Sequence, residues 1–370
     1  MTANGWTDEL LDRMRGTGDP LADDAIAETY RLGQQEQVRQ TLLGFGRDSD
    51  TVPAGLPPAL QQYFAESADL PPWADRARME RGHQLLGRYQ PLIAAVLLCG
   101  SLPFDYSCGN GAEVLVRSQR LTSGVYRRLM ETSQFVVDVL DDDGLGPGGR
   151  GLRSAQKIRL LHATMRYHIS RLDDWDSARL GVPVNQEDLA GTLMSFSVVI
   201  PHGLAKLGVE LLPEDRDAYF HIWRVVGHVL GVQEQLNAVK FGDGSALFDV
   251  ILGRQQRSSE AGTVLTKGVL DFIREVLPVP PGAGPTLIRH LIGDKSADLV
   301  GVPPADFTKL GLQLAALPDF GYGKAGDTVP LAAKVASQLG LLVFKEGLLL
   351  TNKGRRRDWQ VPTGLTDSPS

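Results

Sequence analysis

Along this chain apolar positions recur at spacings of three and four far more often than at two. That is the period of helices burying one face. The clearest stripe, Ile158, Leu161, Met165, Ile169 and Leu172, predicts an amphipathic helix over 153–172. DAYFHIWRVVGHVLGV (217–232) predicts another, buried one. Helical patterns also cover Asp75 to Leu98, ending at Gly100, and Leu121 to about Leu140. Residues 1–50 suggest weaker amphipathic helices, and at least three more patterns follow residue 232. PVNQEDLAGTL (183–193) opens a further helix, with Asn185 as N-cap, Asp188 at the capping-box position and Val184 and Leu189 as a staple. That helix is expected to run to Ile200 and stop at Pro201.

Glycine and proline mark the breaks. VPAGLPPAL (52–60) and LPPW (70–73) are connectors, SLPFDYSCGNGAE (101–113) reads as a loop, and DDDGLGPGGRG (141–151) as a surface loop. Alternation fit for a strand is confined to VLVRS (114–118) and LLVFKEGLLL (341–350), the latter as a hairpin turning at Glu346-Gly347. The expectation is an all-α protein forming one domain over 1–370, without internal repeats. Within it, 1–74 are N-terminal helices and the Pro-rich connector, 75–278 the core, 279–361 C-terminal helices and 362–370 a disordered tail. Any boundary would fall at VPPGAG (279–284).

Composition narrows the class. The net charge of -6 argues against a nucleic-acid binder, and the one basic run, KGRRR at 353–357, reads as solvated surface. Two cysteines, Cys99 and Cys108, are too few for a disulfide framework and lack metal-site spacing; a reducing compartment fits them. The N-terminus lacks the pattern of a signal peptide. The most apolar run, PLIAAVLLCGSLPF (91–104), is broken by Gly100 and Pro103 and falls short of the roughly 20 residues a membrane span needs. A soluble, cytoplasmic protein is expected, of undetermined oligomeric state.

The chemistry centres on RLLHATMR (159–166). His162 shares the buried stripe, with Arg159 three residues before it and Arg166 four after. By position alone it is an ordinary core histidine. The arginines make that reading less comfortable, because guanidinium groups edging an apolar face need carboxylate or phosphate partners. Haem satisfies all three at once: it takes an apolar slot, a neutral imidazole on its iron and cations near its propionates. Competing sites are weaker. His162 and His168, six apart, lie on different helix faces; His221 and His228, seven apart, span about 10.5 Å, too far for one metal. They read as core residues, His228 the more buried. No hydrolase, metalloprotease or nucleotide-loop motif is present.

R-L-L-H-A-T-M-R resembles the R-L-x-H-A-x-x-R signature of the latex clearing protein (rubber oxygenase) and mpaB-type oxygenase family. GLPPALQQYF (55–64), LPPWAD (70–75), PVNQEDLAGTL, DAYFHIWRVVGHVLGV and LIGDKSADLVGVP (291–303) resemble further stations of that family, in the same order. The resemblance implies a globin-like helical core with added N- and C-terminal helices and haem b on His162. It implies Arg128 and Thr132 (an R-x-x-x-T element) on the oxygen-binding side, and Glu113 as general base if one gap is allowed. Without it, Arg128 and Thr132 are an ordinary surface arginine and mid-helix threonine, and Glu113 a first-turn carboxylate.

Two features depart from the latex clearing proteins. Glu131 stands where those can carry an iron-capping lysine, and no export signal is evident. Both point away from rubber and towards a smaller apolar substrate, olefinic and isoprenoid- or polyketide-like, taken with dioxygen and cleaved oxidatively at a double bond. A haem monooxygenase or peroxidase, and a non-enzymatic haem carrier or gas sensor, stay open.

Overall fold

A computed structural model of the chain describes residues 5–43, 52–121, 125–141, 143–146, 149–276, 282–305 and 340. The chain opens with α1 (Asp8–Arg15), α2 (Pro20–Arg31), α3 (Gln35–Leu43) and α4 (Pro58–Glu66). Then come α5 (Arg76–Val96), α6 (Leu102–Ser107), α7 (Gly109–Leu121), α8 (Val125–Leu140) and α9 (Gly151–Ile169). The rest is α10 (Ser177–Leu180), α11 (Gln186–Ser197), α12 (Val199–Lys206), α13 (Pro213–Val229), α14 (Phe241–Gln255), α15 (Glu260–Val276) and α16 (Ala283–Leu299). The fold is all-α, and no strand occurs among the described residues. The candidate hairpin at 341–350 and the tail at 362–370 lie outside them.

Local chemistry accounts for several helix ends. Thr7 Oγ1 accepts the Leu10 N–H at the start of α1, whose first turn is acidic (Asp8, Glu9) and last turn basic (Arg13, Arg15), as the helix dipole favours. Asn185 caps α11 as expected: its side chain accepts the Asp188 N–H at 2.9 Å and donates to Asp188 Oδ2 at 2.8 Å. α5 is kinked at Tyr89 (φ -122°, ψ 16°), two residues before Pro91. Proline withholds an N–H and its ring crowds the preceding turn of helix, and the break falls within that turn.

Three readings of the chain are corrected. Residues 101–113 are helical rather than a loop: a π-helical turn (Leu97–Ser101) runs into α6, and α7 follows after Cys108. Pro103 sits in the first turn of α6, where the missing N–H would be unpaired anyway. Gly109 serves close approach, since a Cβ there would come within 2.7 Å of Arg257 Cγ. The supposed strand 114–118 lies inside α7. Pro201 ends nothing; the break falls at Val198, and Pro201 is in the first turn of α12.

The core centres on α5, α11 and α13, in an apolar cluster running from Trp6 to Val302 in sequence. Trp223, Tyr219 and Phe220 of α13 are fully buried in it. α9 is enclosed on several sides. Leu152 and Ala155 join the main cluster, Leu160 and Ala163 a second with α2 and α4, and Met165 and Ile169 a third with Val114, Trp175 and Leu180. No single helix among the described residues is long and apolar enough to cross a membrane, though one bent pair, Arg76–Leu85 with Gly87–Ser107, has the length and composition. Ile93, Val96 and Cys99 in that pair are buried in the core.

Candidate active site

His162 sits in the fourth turn of α9, against which both α7 and α8 pack. Burial, then the positive charge of Arg166, lowers its pKa to about 3, outweighing the opposite pull of Asp19. The imidazole is therefore neutral at any physiological pH. Its Nδ1 is buried and has no hydrogen-bond partner. Yet His162 keeps an intermediate accessibility, as do Ile158 and Leu161 on the same stripe. A stripe that periodicity alone assigns to solid core is thus closed only in part, and an uncharged nitrogen base stands in it.

The two arginines find carboxylates within the chain. Arg159 makes a bidentate pair with Asp19 (Nε–Oδ2 2.6 Å, Nη2–Oδ1 2.8 Å) and donates through Nη1 to the Val229 carbonyl at 3.3 Å. Arg166 donates through Nε to Asp23 Oδ1 at 2.7 Å and through Nη1 to the Val184 carbonyl at 3.0 Å, while its Nη2 is buried with no partner. Val184 holds φ +51°, unusual for a β-branched residue, so the backbone is strained where it presents that carbonyl.

α2 is thus part of the site, which the sequence did not reveal. Asp19 and Asp23 lie four apart on one face of α2, and only the fold lays that face along Arg159 and Arg166. Asp19 holds the N-cap position of α2 but makes no capping bond with its side chain, which goes to Arg159. Burial raises the Asp23 carboxyl above its usual range, although Arg166 pulls it down. Gly231, just past α13, has φ +81°, and a Cβ there would lie 2.6 Å from both Arg159 Nε and Asp19 Oδ2. Gln186 ties the assembly together, donating to the carbonyls of Gly18 and Gly231 and accepting the Gln233 N–H.

The remaining candidates sit on the two helices facing α9. Glu113 on α7 is ion-paired with Arg117 one turn on, rather than isolated in an apolar pocket. Arg117 also reaches Asp174 Oδ2 at 3.3 Å and lies over the Trp175 ring. Thr132 is half-buried on α8. Arg128 belongs to α8 as well, one turn before Thr132, but its side chain is outside the described residues.

The other histidines are placed elsewhere. His168 meets the Tyr30 hydroxyl at 2.6 Å. His221, not His228, is the buried member of its pair: His221 accepts the Asp75 N–H at 2.9 Å, while His228 is exposed in the last turn of α13. Among the described residues no three His, Cys, Asp or Glu side chains gather as a metal site. Cys99 and Cys108 are free, and burial pushes both thiols up.

Fold and site together define an all-α protein in which one helix holds a neutral, partly accessible imidazole between two pairs of opposite charges. Residues 85–316, more than half of the chain, match the family described as ER-bound oxygenase mpaB/B'/Rubber oxygenase, catalytic domain. The chain belongs to that family, and so to an oxygenase class of oxidoreductases that act on a substrate with dioxygen. It is similar to the rubber oxygenase of Streptomyces sp. (strain K30), with 25% identity over 362 residues, 93% of this chain and 82% of that one. Its fold matches a latex clearing protein solved in the closed state, with a TM-score of 0.79 at 22% identity, over 94% of this chain and 95% of that one.

Proposed function

We propose that this chain is a haem-b-dependent oxygenase that uses dioxygen to cleave a carbon–carbon double bond in a small, apolar, isoprenoid-like substrate. Residues 1–370 would act as one catalytic domain in the cytoplasm. The observation that carries the reading is His162, a neutral, partly accessible imidazole with a buried, unpartnered Nδ1 on α9 of an oxygenase-family chain. The residues fit the group. Iron takes a neutral imidazole, and the buried, unpartnered Nδ1 of His162 and Nη2 of Arg166 are polar atoms whose needs the protein alone leaves unmet.

When bound, haem would supply the redox chemistry that dioxygen activation requires. His162 would hold the iron, with Arg159 and Arg166 beside the propionates. Ile158 and Leu161, half-buried on the same stripe, would give the site an apolar surface that excludes water and suits a hydrocarbon. Arg128 and Thr132 would donate hydrogen bonds where negative charge develops on oxygen, stabilisation that counts most where water is absent. Glu113 would accept a proton from the carbon next to the double bond, which requires its ion pair with Arg117 to loosen. Free cysteines support a reducing compartment, and similarity to a rubber oxygenase supports an olefinic substrate.

The test is oxygen uptake and product analysis with olefinic lipids under labelled dioxygen. Two carbonyl products, each carrying one labelled atom, are expected. A hydroxylated product with a single labelled atom would replace cleavage by monooxygenation. Reversible oxygen binding without consumption would make the protein a carrier.

A further inference from the structure

The two arginines flanking His162 are not equivalent. Arg159 has a partner at every nitrogen, Nε and both outer ones, and its bidentate carboxylate, Asp19, is 4% exposed in its side chain. Gly231 packs so tightly on the pair that no side chain fits there, and Tyr63 lies under the guanidinium, 5.6 Å from its centre. Arg166 is held as firmly at two nitrogens, by Asp23 and by the strained Val184 carbonyl, but keeps a third donor empty although its side chain is only 5% exposed. A buried donor without an acceptor is costly, and a guanidinium with one free nitrogen suits an oxyanion.

We propose that Arg159 and Arg166 divide the labour. Arg166, through Nη2, is the donor that receives a carboxylate of the cofactor, while Arg159 and Asp19 form a closed, charge-balanced pair that sets the electrostatic potential at His162 without touching the cofactor. This rests on the haem reading of His162 and assigns Arg159 a positioning role in place of a propionate contact. The geometry carries it: Arg159 lies three residues before His162 and Arg166 four after, so each is a helical neighbour of the ring. A net charge introduced at either place acts on the iron through a medium of low polarisability.

The experiment uses wild type, Arg166→Gln, Arg166→Lys, Arg159→Gln and Asp19→Asn, each loaded with haemin. Two quantities are read: the rate of haemin loss to excess apomyoglobin, and the midpoint reduction potential. Arg166→Gln should release haemin about tenfold faster or more, the effect of one charge-assisted bond, with partial recovery in Arg166→Lys. Arg159→Gln should release it at close to the wild-type rate. Its potential should fall, because Asp19 is left unbalanced, and that of Asp19→Asn should rise, because Arg159 is left unbalanced. A purely structural pair would not move the potential in opposite directions. Equal haemin loss in Arg166→Gln and Arg159→Gln, or potentials that shift the same way, would overturn the division. Should Arg166→Gln fail to fold, the opposed shifts of Arg159→Gln and Asp19→Asn decide alone. A wild type that takes up no haemin fails earlier, at His162.

Discussion

Replacing Gly231 by Ala probes the joint between α2, α9 and the end of α13. The backbone there has φ +81°, which costs a residue with a side chain about 1–2 kcal/mol. The new Cβ would also lie 2.6 Å from Arg159 Nε and Asp19 Oδ2, closer than contact allows. Neither group can swing away, because Arg159 also holds the Val229 carbonyl and Asp19 is enclosed. Breaking a buried ion pair costs about 3–5 kcal/mol. Gly231→Ala should therefore lose between about 2 kcal/mol, if strain alone registers, and about 5 kcal/mol, if the pair opens. Gly253→Ala is the control. That glycine is exposed in α14 with nothing within 4 Å, so alanine there should add about 0.5–1 kcal/mol. Urea unfolding reads both as midpoint shifts of opposite sign at constant slope. A Gly231→Ala midpoint at or above wild type would refute the reasoning, and with it the tight closure of the Arg159–Asp19 pair.

Other outcomes follow from single contacts. Glu187, fully buried, accepts from Arg254 Nε (2.8 Å), Arg15 Nη1 (3.1 Å) and Gln255 Nε2 (2.9 Å). Glu187→Ala should cost about 3 kcal/mol in urea unfolding, the low end for a broken buried pair because Arg254 keeps Asp8 and Asp12 and Arg15 keeps Asp188. Asn185→Ala should cost about 1–2 kcal/mol through loss of the α11 cap, and Asn185→Asp no less, because a buried carboxylate there would face Asp188 Oδ2, to which Asn185 now donates. Burial, reinforced by Arg78 and Arg224, lowers the His221 pKa from 6.5 to about 4. Between those values the unfolded chain binds a proton that folded His221 refuses, so its contribution is complete above pH 6.5 and is lost as pH falls towards 4. Urea midpoints at pH 7, 6 and 5 should drop accordingly, and less steeply in His221→Gln; parallel profiles would remove His221 as the cause.

The parts of the fold that depend on local periodicity were legible in the chain. The stripe from Ile158 to Ile169 became α9, the Asn185 and Asp188 pattern became a working cap, and both flanks of His162 fell where helical spacing placed them. Glycine and proline misled wherever tertiary contact decided their use. Gly109 lets α7 approach Arg257, and Pro103 and Pro201 occupy first turns where no N–H is needed, so the apparent punctuation lies within helical structure. Partners supplied from a distance were illegible for a different reason. Nothing local in α2 marks Asp19 and Asp23 as the counterions of arginines some 140 residues on. Nor does the heptad spacing of His221 and His228 reveal that α13 reaches the surface at its last turn.

The central claim, that His162 offers its neutral imidazole to haem iron, is tested most directly by the absorption spectrum of the purified protein. It should be recorded oxidised and reduced, with pyridine haemochrome quantitation, for wild type and His162→Ala. The account predicts a Soret band and about one haem b per chain in the wild type, both lost in the variant while the far-ultraviolet helical signal is retained. A colourless wild type that takes up no added haemin, or a His162→Ala variant with full haem and an unchanged Soret band, would contradict it.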